Sequence, residues 1–189
     1  VTITGAGTYI LSGTLDNGRI LVNAGKEDKI QLVLDGVSVH CKDNAPLFIQ
    51  QADKVFLTLA QGSENSFSDE GAYTLGEEDA NVDAPLFSRA DLTINGEGSL
   101  TVTATDKHGI VSKDDLVITG GTITVTAGKD GLCGKDCVKI ADGTFVIRAG
   151  SDGIQSNNDE EDGKGTVYIR GGSFDIVAAT DGIQAETAL

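Results

Sequence analysis

The second half of the chain contains an internal repeat with a period of 22 residues. The aligned segments are "DDLVITGGTITVTAGKDGLCGK" (114–135), "DCVKIADGTFVIRAGSDGIQSN" (136–157) and "TVYIRGGSFDIVAATDGIQAE" (166–186). Asp-Gly pairs at Asp130, Asp152 and Asp181 are 22 and 29 residues apart, so the second interval is one repeat plus seven inserted residues. A unit of this length cannot bury an apolar face alone, and it becomes stable by stacking on its neighbours.

Earlier parts of the chain follow the same pattern with substitutions. The segment "ADLTINGEGSLTVTATDKHGIVSK" (90–113) carries His108 and Gly109 in the Asp-Gly position. The segments "APLFSR" (84–89) and "APLFIQ" (45–50) take the place of the later "DGIQ" segments. This alignment gives roughly six full units and an incomplete first one.

Each unit contains three short runs in which apolar and polar residues alternate, with glycine at the junctions. Alternation with a period of two predicts strands, and glycine between the runs predicts turns. We therefore predict an all-β fold, a parallel β-helix with about 22 residues and three strands per turn and roughly six to seven turns. A β-sandwich or a propeller is the alternative, but about 22 residues are too few for a four-stranded propeller blade.

Residues 1–189 are predicted to form a single β-helical domain. Insertions interrupt the repeat near residues 69–83 and near residues 158–165. Apolar residues at alternate strand positions are expected to stack inward, among them Ile123, Phe145 and Phe174, whereas Lys139 and Tyr168 occupy positions that point outward.

The chain is strongly acidic. It has 29 acidic and 14 basic residues, which give a formal net charge of −15. This charge repels nucleic-acid phosphates and anionic membranes, and apolar runs such as "KIQLVL" are too short to span a bilayer. We therefore expect neither nucleic-acid binding nor membrane insertion, and we expect a monomer.

Three cysteines are present, at Cys41, Cys133 and Cys137. The spacing of Cys133 and Cys137, without further cysteines or paired histidines, does not match a zinc site. We expect all three to be small side chains in or beside the core.

Stacking in register brings the carboxylates of Asp130, Asp152 and Asp181 into one column, because neighbouring strands lie about 4.8 Å apart. Two unit charges at that separation repel by roughly 3 to 4 kcal/mol at an effective dielectric constant of about 20. Protonation, the neighbouring Lys129 or a bound cation would relieve the repulsion. The insertion at residues 69–83 is expected to bring further acids to the same corner, including Glu77, Glu78 and Asp79.

The turn motif Asp-Gly-Ile-Gln carries oxygen ligands suited to calcium, which binds about six to eight oxygen atoms. Asp152 and Gln155 lie three residues apart at one turn, and Asp181 and Gln184 repeat the arrangement at the next. We predict a calcium site between these two turns, capped by Asp130, and at least one further ion. The predicted metal ligands are Asp83, Asp130, Asp152, Gln155, Asp159, Asp181 and Gln184.

Other interpretations of the acids are weaker. An EF-hand does not fit, because Ile169 would stand at the position of the bidentate Glu. The calcium-binding nonapeptide repeat does not fit either, because the period is 22 residues. A solvated acidic face that aids solubility remains the alternative.

The succession "GTYILSGTLDNGRILVNAG", "DKIQLVLDGVSV", "DLTINGEGSLTV", "HGIVSKDDLVITGGTITVTA", "DGIQSNNDEEDGKG" and "DGIQAET" resembles the secreted bacterial carbohydrate-binding β-helix family related to the family 9 pectate lyases. The resemblance covers nearly the whole chain. It implies a right-handed parallel β-helix, several bound Ca²⁺ ions and binding of plant cell-wall polysaccharide, above all polygalacturonate (pectin), with cellulose as a second candidate.

The related lyases hold Ca²⁺ with an Asp-Asp-Gly-x-Asp turn. The segments 151–155 and 180–184 match this turn in part, since Ser or Thr replaces the first Asp and Gln replaces the last. The resemblance also implies a secreted or cell-surface protein. The chain begins at Val1 without a leader, as expected for a processed segment.

Calcium-dependent, non-catalytic binding of an acidic polysaccharide is the predicted function. A protein of charge −15 repels a polyuronate unless bound Ca²⁺ bridges the carboxylates of protein and polymer. The side chains expected to contact the polymer are Lys113, Lys135, Lys139 and Tyr168.

Two other functions stay open. A pectate lyase would remove the C5 proton of a uronate by calcium-assisted β-elimination, with Lys113, Lys135, Arg148 or Arg170 as the base. For these two lysines, charge balance against Asp114, Asp115 and Asp136 is the alternative role. A passive stalk or adhesin segment would bind no ligand. A polygalacturonase is not supported, because the Asn-Thr-Asp and Arg-Ile-Lys segments that accompany its His-Gly turn are absent.

Overall fold

The structure is a computed structural model that describes residues 1–74, 76 and 80–189. The strands of these residues pair in parallel and stack in about seven turns. The predicted all-β parallel β-helix is therefore confirmed. The described residues include no helix of the length and apolar character needed to span a membrane. Glu77, Glu78 and Asp79, which were predicted to add acids to one corner, lie outside the described residues.

The strands in chain order are β1 (Thr2–Ile3), β2 (Gly7–Leu15), β3 (Ile20–Asn23), β4 (Lys29–Cys41), β5 (Leu47–Gln51), β6 (Lys54–Leu59), β7 (Glu64–Asp69), β8 (Leu86–Ser88), β9 (Asp91–Gly96), β10 (Ser99–Ala104), β11 (Ile110–Ser112), β12 (Asp115–Ile118), β13 (Thr122–Ala127), β14 (Leu132–Gly134), β15 (Cys137–Ile140), β16 (Thr144–Ala149), β17 (Ile154–Ser156), β18 (Thr166–Ile169), β19 (Ser173–Ala178) and β20 (Ile183–Ala185).

These strands form three columns, one strand from each turn. The first column is β2-β4-β6-β9-β12-β15-β18, and the second is β2-β4-β7-β10-β13-β16-β19. The third is β1-β3-β5-β8-β11-β14-β17-β20. The long strands β2 and β4 belong to two columns. The two halves of β2 pair with the two halves of β4, and the first half of β4 pairs onward with β6 and the second half with β7.

The core lies inside the three columns, where equivalent apolar residues stack in register. Ile123 pairs with Phe145, and Phe145 pairs with Phe174, as the repeat predicted. The rings of the two phenylalanines are parallel, with their centroids 4.7 Å apart. Leu116 and Val138 form a second inward stack and are fully buried. Each such buried side chain contributes about 1.5–3 kcal/mol to stability.

The two insertions leave the helix at different corners. The segment 70–85 connects the second-column strand β7 to the third-column strand β8. The segment 157–165 connects the third-column strand β17 to the first-column strand β18. The first insertion packs Val82 and Ala84 onto the outer face of the third column, where they bury Phe48, Phe87 and Val111.

The outer face of the third column changes character along the helix. The residues in register on this face are Leu21, Phe48, Phe87, Val111, Cys133, Gln155 and Gln184. The series is apolar under the first insertion and becomes polar beyond it. The polar end of this face is where a ligand can approach the helix.

The stacked Asp-Gly turns leave no space for a side chain at the glycine. A Cβ added to Gly131 would lie 2.6 Å from the carbonyl oxygen of Gly153 and 2.5 Å from Cγ2 of Ile147. A Cβ added to the equivalent Gly182, in the last turn, would have no atom within 4 Å.

We therefore expect Gly131→Ala to lower the free energy of unfolding by about 1–3 kcal/mol, because the stacked turns must move apart. The matched control Gly182→Ala should change it by less than about 0.5 kcal/mol. Urea denaturation of both variants measures the difference. Equal effects of the two substitutions would contradict the close stacking of these turns.

Candidate functional site

Aspartates at equivalent turns bond to the backbone of the following turn. Oδ1 of Asp130 accepts a hydrogen bond from the amide N–H of Asp152 at 3.0 Å. Oδ1 of Asp152 accepts one from the amide N–H of Asp181 at 2.9 Å. Asp130 and Asp152 are 5% and 8% exposed, respectively. We call Asp130, Asp152 and Asp181 the aspartate column.

Other donors complete the environment of the two buried carboxylates. Oδ2 of Asp130 lies 2.9 Å from Nδ1 of His108. Oδ2 of Asp152 accepts a hydrogen bond from Nε2 of Gln155 at 2.9 Å, and the Thr180 hydroxyl donates to Oδ1 of Asp152. Burial raises the pKa of Asp130, but the hydrogen bonds from His108 and the Asp152 backbone outweigh burial and leave this pKa below its usual value.

These hydrogen bonds relieve the repulsion between neighbouring carboxylates of the column. From the sequence, protonation, Lys129 or a bound cation was expected to do so. Stacking the turns brings the N–H of each aspartate to the carboxylate of the preceding one, so the charge is stabilised by the backbone itself. The assignment of Asp130, Asp152 and Asp181 as calcium ligands stays a prediction.

A groove of about 530 Å³ lies on the polar end of the third column, between the two insertions. Its lining brings together five residues that the sequence singled out, three from successive units and two from the insertions. These residues are Asp83, Lys113, Lys135, Gln155 and Asp159. The groove thus combines predicted metal ligands with predicted polymer contacts on one exposed surface.

Ion pairs inside the groove link its walls. Nζ of Lys113 lies 3.8 Å from Oδ2 of Asp83 and 5.3 Å from the centroid of the Phe87 ring. Nζ of Lys135 lies 3.2 Å from Oε2 of Glu160. The second oxygen of Asp83, Oδ1, is buried without a hydrogen-bond partner. The two lysines therefore pair with acids of the insertions.

Comparison with known proteins identifies the family. A family model described as carbohydrate-binding domain-containing protein matches residues 1–189. The chain belongs to the carbohydrate-binding domain family. A protein of the same description from Acetivibrio thermocellus is 45% identical over 128 residues. That match covers 67% of this chain and 45% of the relative, so the matched region spans less than half of the relative's length.

A solved structure supports the fold and the family relationship. The structure of the polysaccharide lyase-like protein from C. thermocellum, a gadolinium derivative, superimposes with a TM-score of 0.91 at 38% sequence identity. The superposition covers 98% of this chain and 84% of that chain. The carbohydrate-binding domain thus has a polysaccharide lyase-like β-helix.

Two predicted polymer contacts lie on another face of the carbohydrate-binding domain. Lys139 and Tyr168 are neighbours in register on the outer face of the first column. Tyr168 is 63% exposed, as predicted, and Nζ of Lys139 lies 3.1 Å from Oδ2 of Asp115. With Val117 they line a shallow depression separate from the groove.

The remaining predicted ligands lie in the last turn. Asp181 is exposed at its end of the aspartate column. Gln184 lies in register with Gln155. Its Oε1 is buried without a hydrogen-bond partner.

Sequence reasoning missed two side chains of the groove, His108 and Cys133. Suitable donor atoms of these residues and of Asp130 all lie within 4.8 Å of one another. The repeat contained a signal for this cluster, because His108 occupies the position of an aspartate and Cys133 that of a glutamine. Glu160, which the sequence did not single out, also lines the groove.

A second acidic cluster lies at the corner between the third and first columns. Lys139 pairs with Asp115, and Nζ of Lys164 lies 2.7 Å from Oδ2 of Asp136. Charge balance of these aspartates thus comes from Lys139 and Lys164, whereas Lys113 and Lys135 pair elsewhere. Burial, a hydrogen bond with Asp136 and repulsion from neighbouring aspartates raise the pKa of Asp114 to about 6.

We expect Asp114→Asn to stabilise the domain near pH 7 by up to about 1 kcal/mol, a value discounted for partial exposure. The pKa of Asp114 is about 6 in the folded domain and about 3.9 in the unfolded chain, so the folded state binds this proton more tightly. The stability of the wild type therefore falls as the pH rises from about 4 to about 6. The amide that replaces the Asp114 carboxyl carries no charge, so the variant should lack this fall in stability, and the amide can still donate a hydrogen bond to Asp136.

Denaturation in EGTA at several pH values measures the effect. The matched control Asp115→Asn loses the ion pair with Lys139 and should not be stabilised. An Asp114→Asn variant with the same pH dependence as the wild type would contradict the raised pKa of Asp114.

Proposed function

We propose that this carbohydrate-binding domain binds an acidic plant cell-wall polysaccharide, polygalacturonate above all, through calcium held in the groove and without cleaving it. One observation carries the proposal. Asp83, Gln155 and Asp159 line the same open groove as Lys113 and Lys135. A polysaccharide bound in the groove would therefore meet both oxygen ligands for a cation and ammonium groups that can bind its uronate carboxylates. Cellulose, a neutral polymer, is the second candidate ligand.

The groove residues suit calcium. Calcium prefers carboxylate and amide oxygens, and it accepts water or ligand oxygens at its other positions. Asp83 and Asp159 offer carboxylates, and Gln155 offers an amide oxygen. Oδ1 of Asp83 is a buried oxygen without a partner, which a cation would satisfy. The gadolinium derivative of the similar structure adds support, because gadolinium is a hard cation that also takes oxygen ligands.

The last turn offers a place for a second ion. Asp181 is exposed there, and Oε1 of Gln184 lacks a hydrogen-bond partner. Asp130 and Asp152 lie beneath these ligands, where Asp152 orients Gln155 through the 2.9 Å hydrogen bond. When bound, calcium would supply positive charge that bridges protein carboxylates to uronate carboxylates.

Calcium also explains how an acidic groove binds an acidic polymer. The net charge of −15 repels a polyuronate, and Lys113 is partly neutralised by Asp83. A cation bound to Asp83 competes with Lys113 for the same carboxylate and so frees the ammonium group for the sugar. Lys135, paired with the exposed Glu160, exchanges partners in the same way.

The absence of cleavage is part of the proposal. Removal of the C5 proton needs a base with a free electron pair, whereas Lys113 and Lys135 are assigned here to ion pairs, with Asp83 and Glu160 in the unliganded domain and with uronate carboxylates in the complex. A calcium-assisted pectate lyase is the second candidate, because the similar solved protein is described as polysaccharide lyase-like. We further propose that the domain acts as a secreted or cell-surface monomer, without nucleic-acid or membrane partners.

Polygalacturonate binding measured with calcium and with EGTA tests the proposal. We expect binding with calcium, its loss on chelation, and no rise in the ultraviolet absorbance of unsaturated product. Product formation would make the protein a lyase. A protein that binds neither polygalacturonate nor cellulose under either condition would fit a passive stalk and would contradict the proposal.

Lysine variants locate the binding face. Lys113→Gln and Lys135→Gln should each weaken calcium-dependent binding of polygalacturonate by about fivefold, as expected for loss of about 1 kcal/mol. Lys139→Gln is the matched control, because this lysine is also ion-paired but lies on the first column. Weaker binding by Lys139→Gln and Tyr168→Ala, with Lys113→Gln unchanged, would move the site to the first column.

A further inference from the structure

Three different donor atoms converge beneath the groove, at the turn where the repeat departs from its usual sequence. Nδ1 of His108 lies 2.9 Å from Oδ2 of Asp130 and 3.6 Å from Sγ of Cys133. Sγ of Cys133 lies 3.7 Å from the same Oδ2. One nitrogen, one oxygen and one sulfur atom thus form a small triangle.

The triangle has the dimensions of one face of a tetrahedral metal site. Bond lengths of about 2.0–2.1 Å to nitrogen or oxygen and about 2.3 Å to sulfur place a nitrogen and a sulfur ligand about 3.6 Å apart, and an oxygen and a sulfur ligand at nearly the same separation. The two observed separations to sulfur match these values. The nitrogen–oxygen edge must open from 2.9 Å to about 3.3 Å, because a metal replaces a direct hydrogen bond.

The same geometry argues against a thiol nucleophile. In a catalytic triad the nucleophile and the carboxylate contact opposite nitrogens of the imidazole. Here Cys133 and Asp130 both face Nδ1 of His108. Burial and the nearby Asp130 raise the pKa of the Cys133 thiol, which keeps it protonated when no metal is present.

The other imidazole nitrogen faces a carboxylate. Nε2 of His108 lies 3.8 Å from Oδ2 of Asp83. A histidine that binds a metal through one nitrogen generally donates its other N–H to a carboxylate, carbonyl or water. Asp83 can accept a hydrogen bond from that N–H if the two groups approach by about 0.6 Å, because N–H···O hydrogen bonds span about 2.7–3.2 Å.

We propose that His108, Asp130 and Cys133 bind one divalent transition-metal ion of the zinc type, with a fourth position open to the groove. Nδ1, Oδ2 and Sγ are the ligand atoms. His108 and Cys133 line the groove, so water or a ligand oxygen can complete the coordination. Calcium does not suit this cluster, because it prefers oxygen to sulfur and nitrogen donors.

Charge and protons balance on metal binding. The thiol releases its proton to solvent, and the neutral imidazole keeps one proton, now on Nε2 facing Asp83. The cluster of one carboxylate, one neutral imidazole and one thiol changes from a charge of −1 to 0 when the divalent ion enters. Asp83 is shared with the calcium proposal, in which its unpartnered Oδ1 faces the ion while Oδ2 faces His108, and Asp130, which the sequence assigned to calcium, is here assigned to the transition metal. The equivalents of this site in the next turns carry Gln155 and Gln184 in place of Cys133.

Titration of the reduced protein with Co²⁺ in excess calcium tests the site. We expect a thiolate-to-cobalt charge-transfer band at one equivalent, with the strong visible absorption of tetrahedral Co²⁺, and displacement by one equivalent of Zn²⁺. Cys133→Ser should abolish the charge-transfer band. Cys41→Ser and Cys137→Ser, matched controls at the two cysteines that are buried, should retain it.

A second variant keeps the test decisive if Cys133→Ser does not fold. His108→Gln can still donate a hydrogen bond to Asp130 but loses the ring nitrogen, and it should weaken Co²⁺ binding at least about tenfold. The proposal is overturned if the wild type gives no charge-transfer band, if the band depends on Cys41 or Cys137, or if calcium displaces the Co²⁺.

Discussion

The hydrogen bonds that the carboxylates of Asp130 and Asp152 accept from the backbone of the following turn are the interactions on which the candidate site depends. They hold equivalent turns in register and stabilise carboxylates that would otherwise repel one another. The same contacts aim the side chains around them, since Asp152 holds Gln155 and Asp130 lies against His108. Stacking and site geometry therefore have one physical origin.

The groove exists because the repeat is interrupted twice. The insertion at 70–85 covers the apolar part of the third column and ends beside Asp83. The insertion at 157–165 follows β17 and supplies the opposite acids. Between them the face of the third column is polar and open. A regular β-helix would present a flat sheet there, and the insertions convert it into a concave surface suited to a polymer.

The repeat made most of the fold predictable, because a fixed period states which residues share a column. It predicted the stack of Ile123, Phe145 and Phe174 and the outward position of Tyr168. Partners of the aspartates were not predictable, because the N–H groups that bind them belong to the backbone. Asp83 lies in an insertion with no equivalent in other turns, so its contact with Lys113 needed the structure.

The central claim is that the polymer lies in the groove. Hydrogen–deuterium exchange of the domain in calcium, with and without an oligogalacturonate, tests it most directly. Binding in the groove predicts slower exchange in peptides from 81–83, 108–113, 133–135 and 155–160, with no change in the first-column strands that carry Val117, Lys139 and Tyr168. Protection of those first-column strands, with none in the groove peptides, would contradict it.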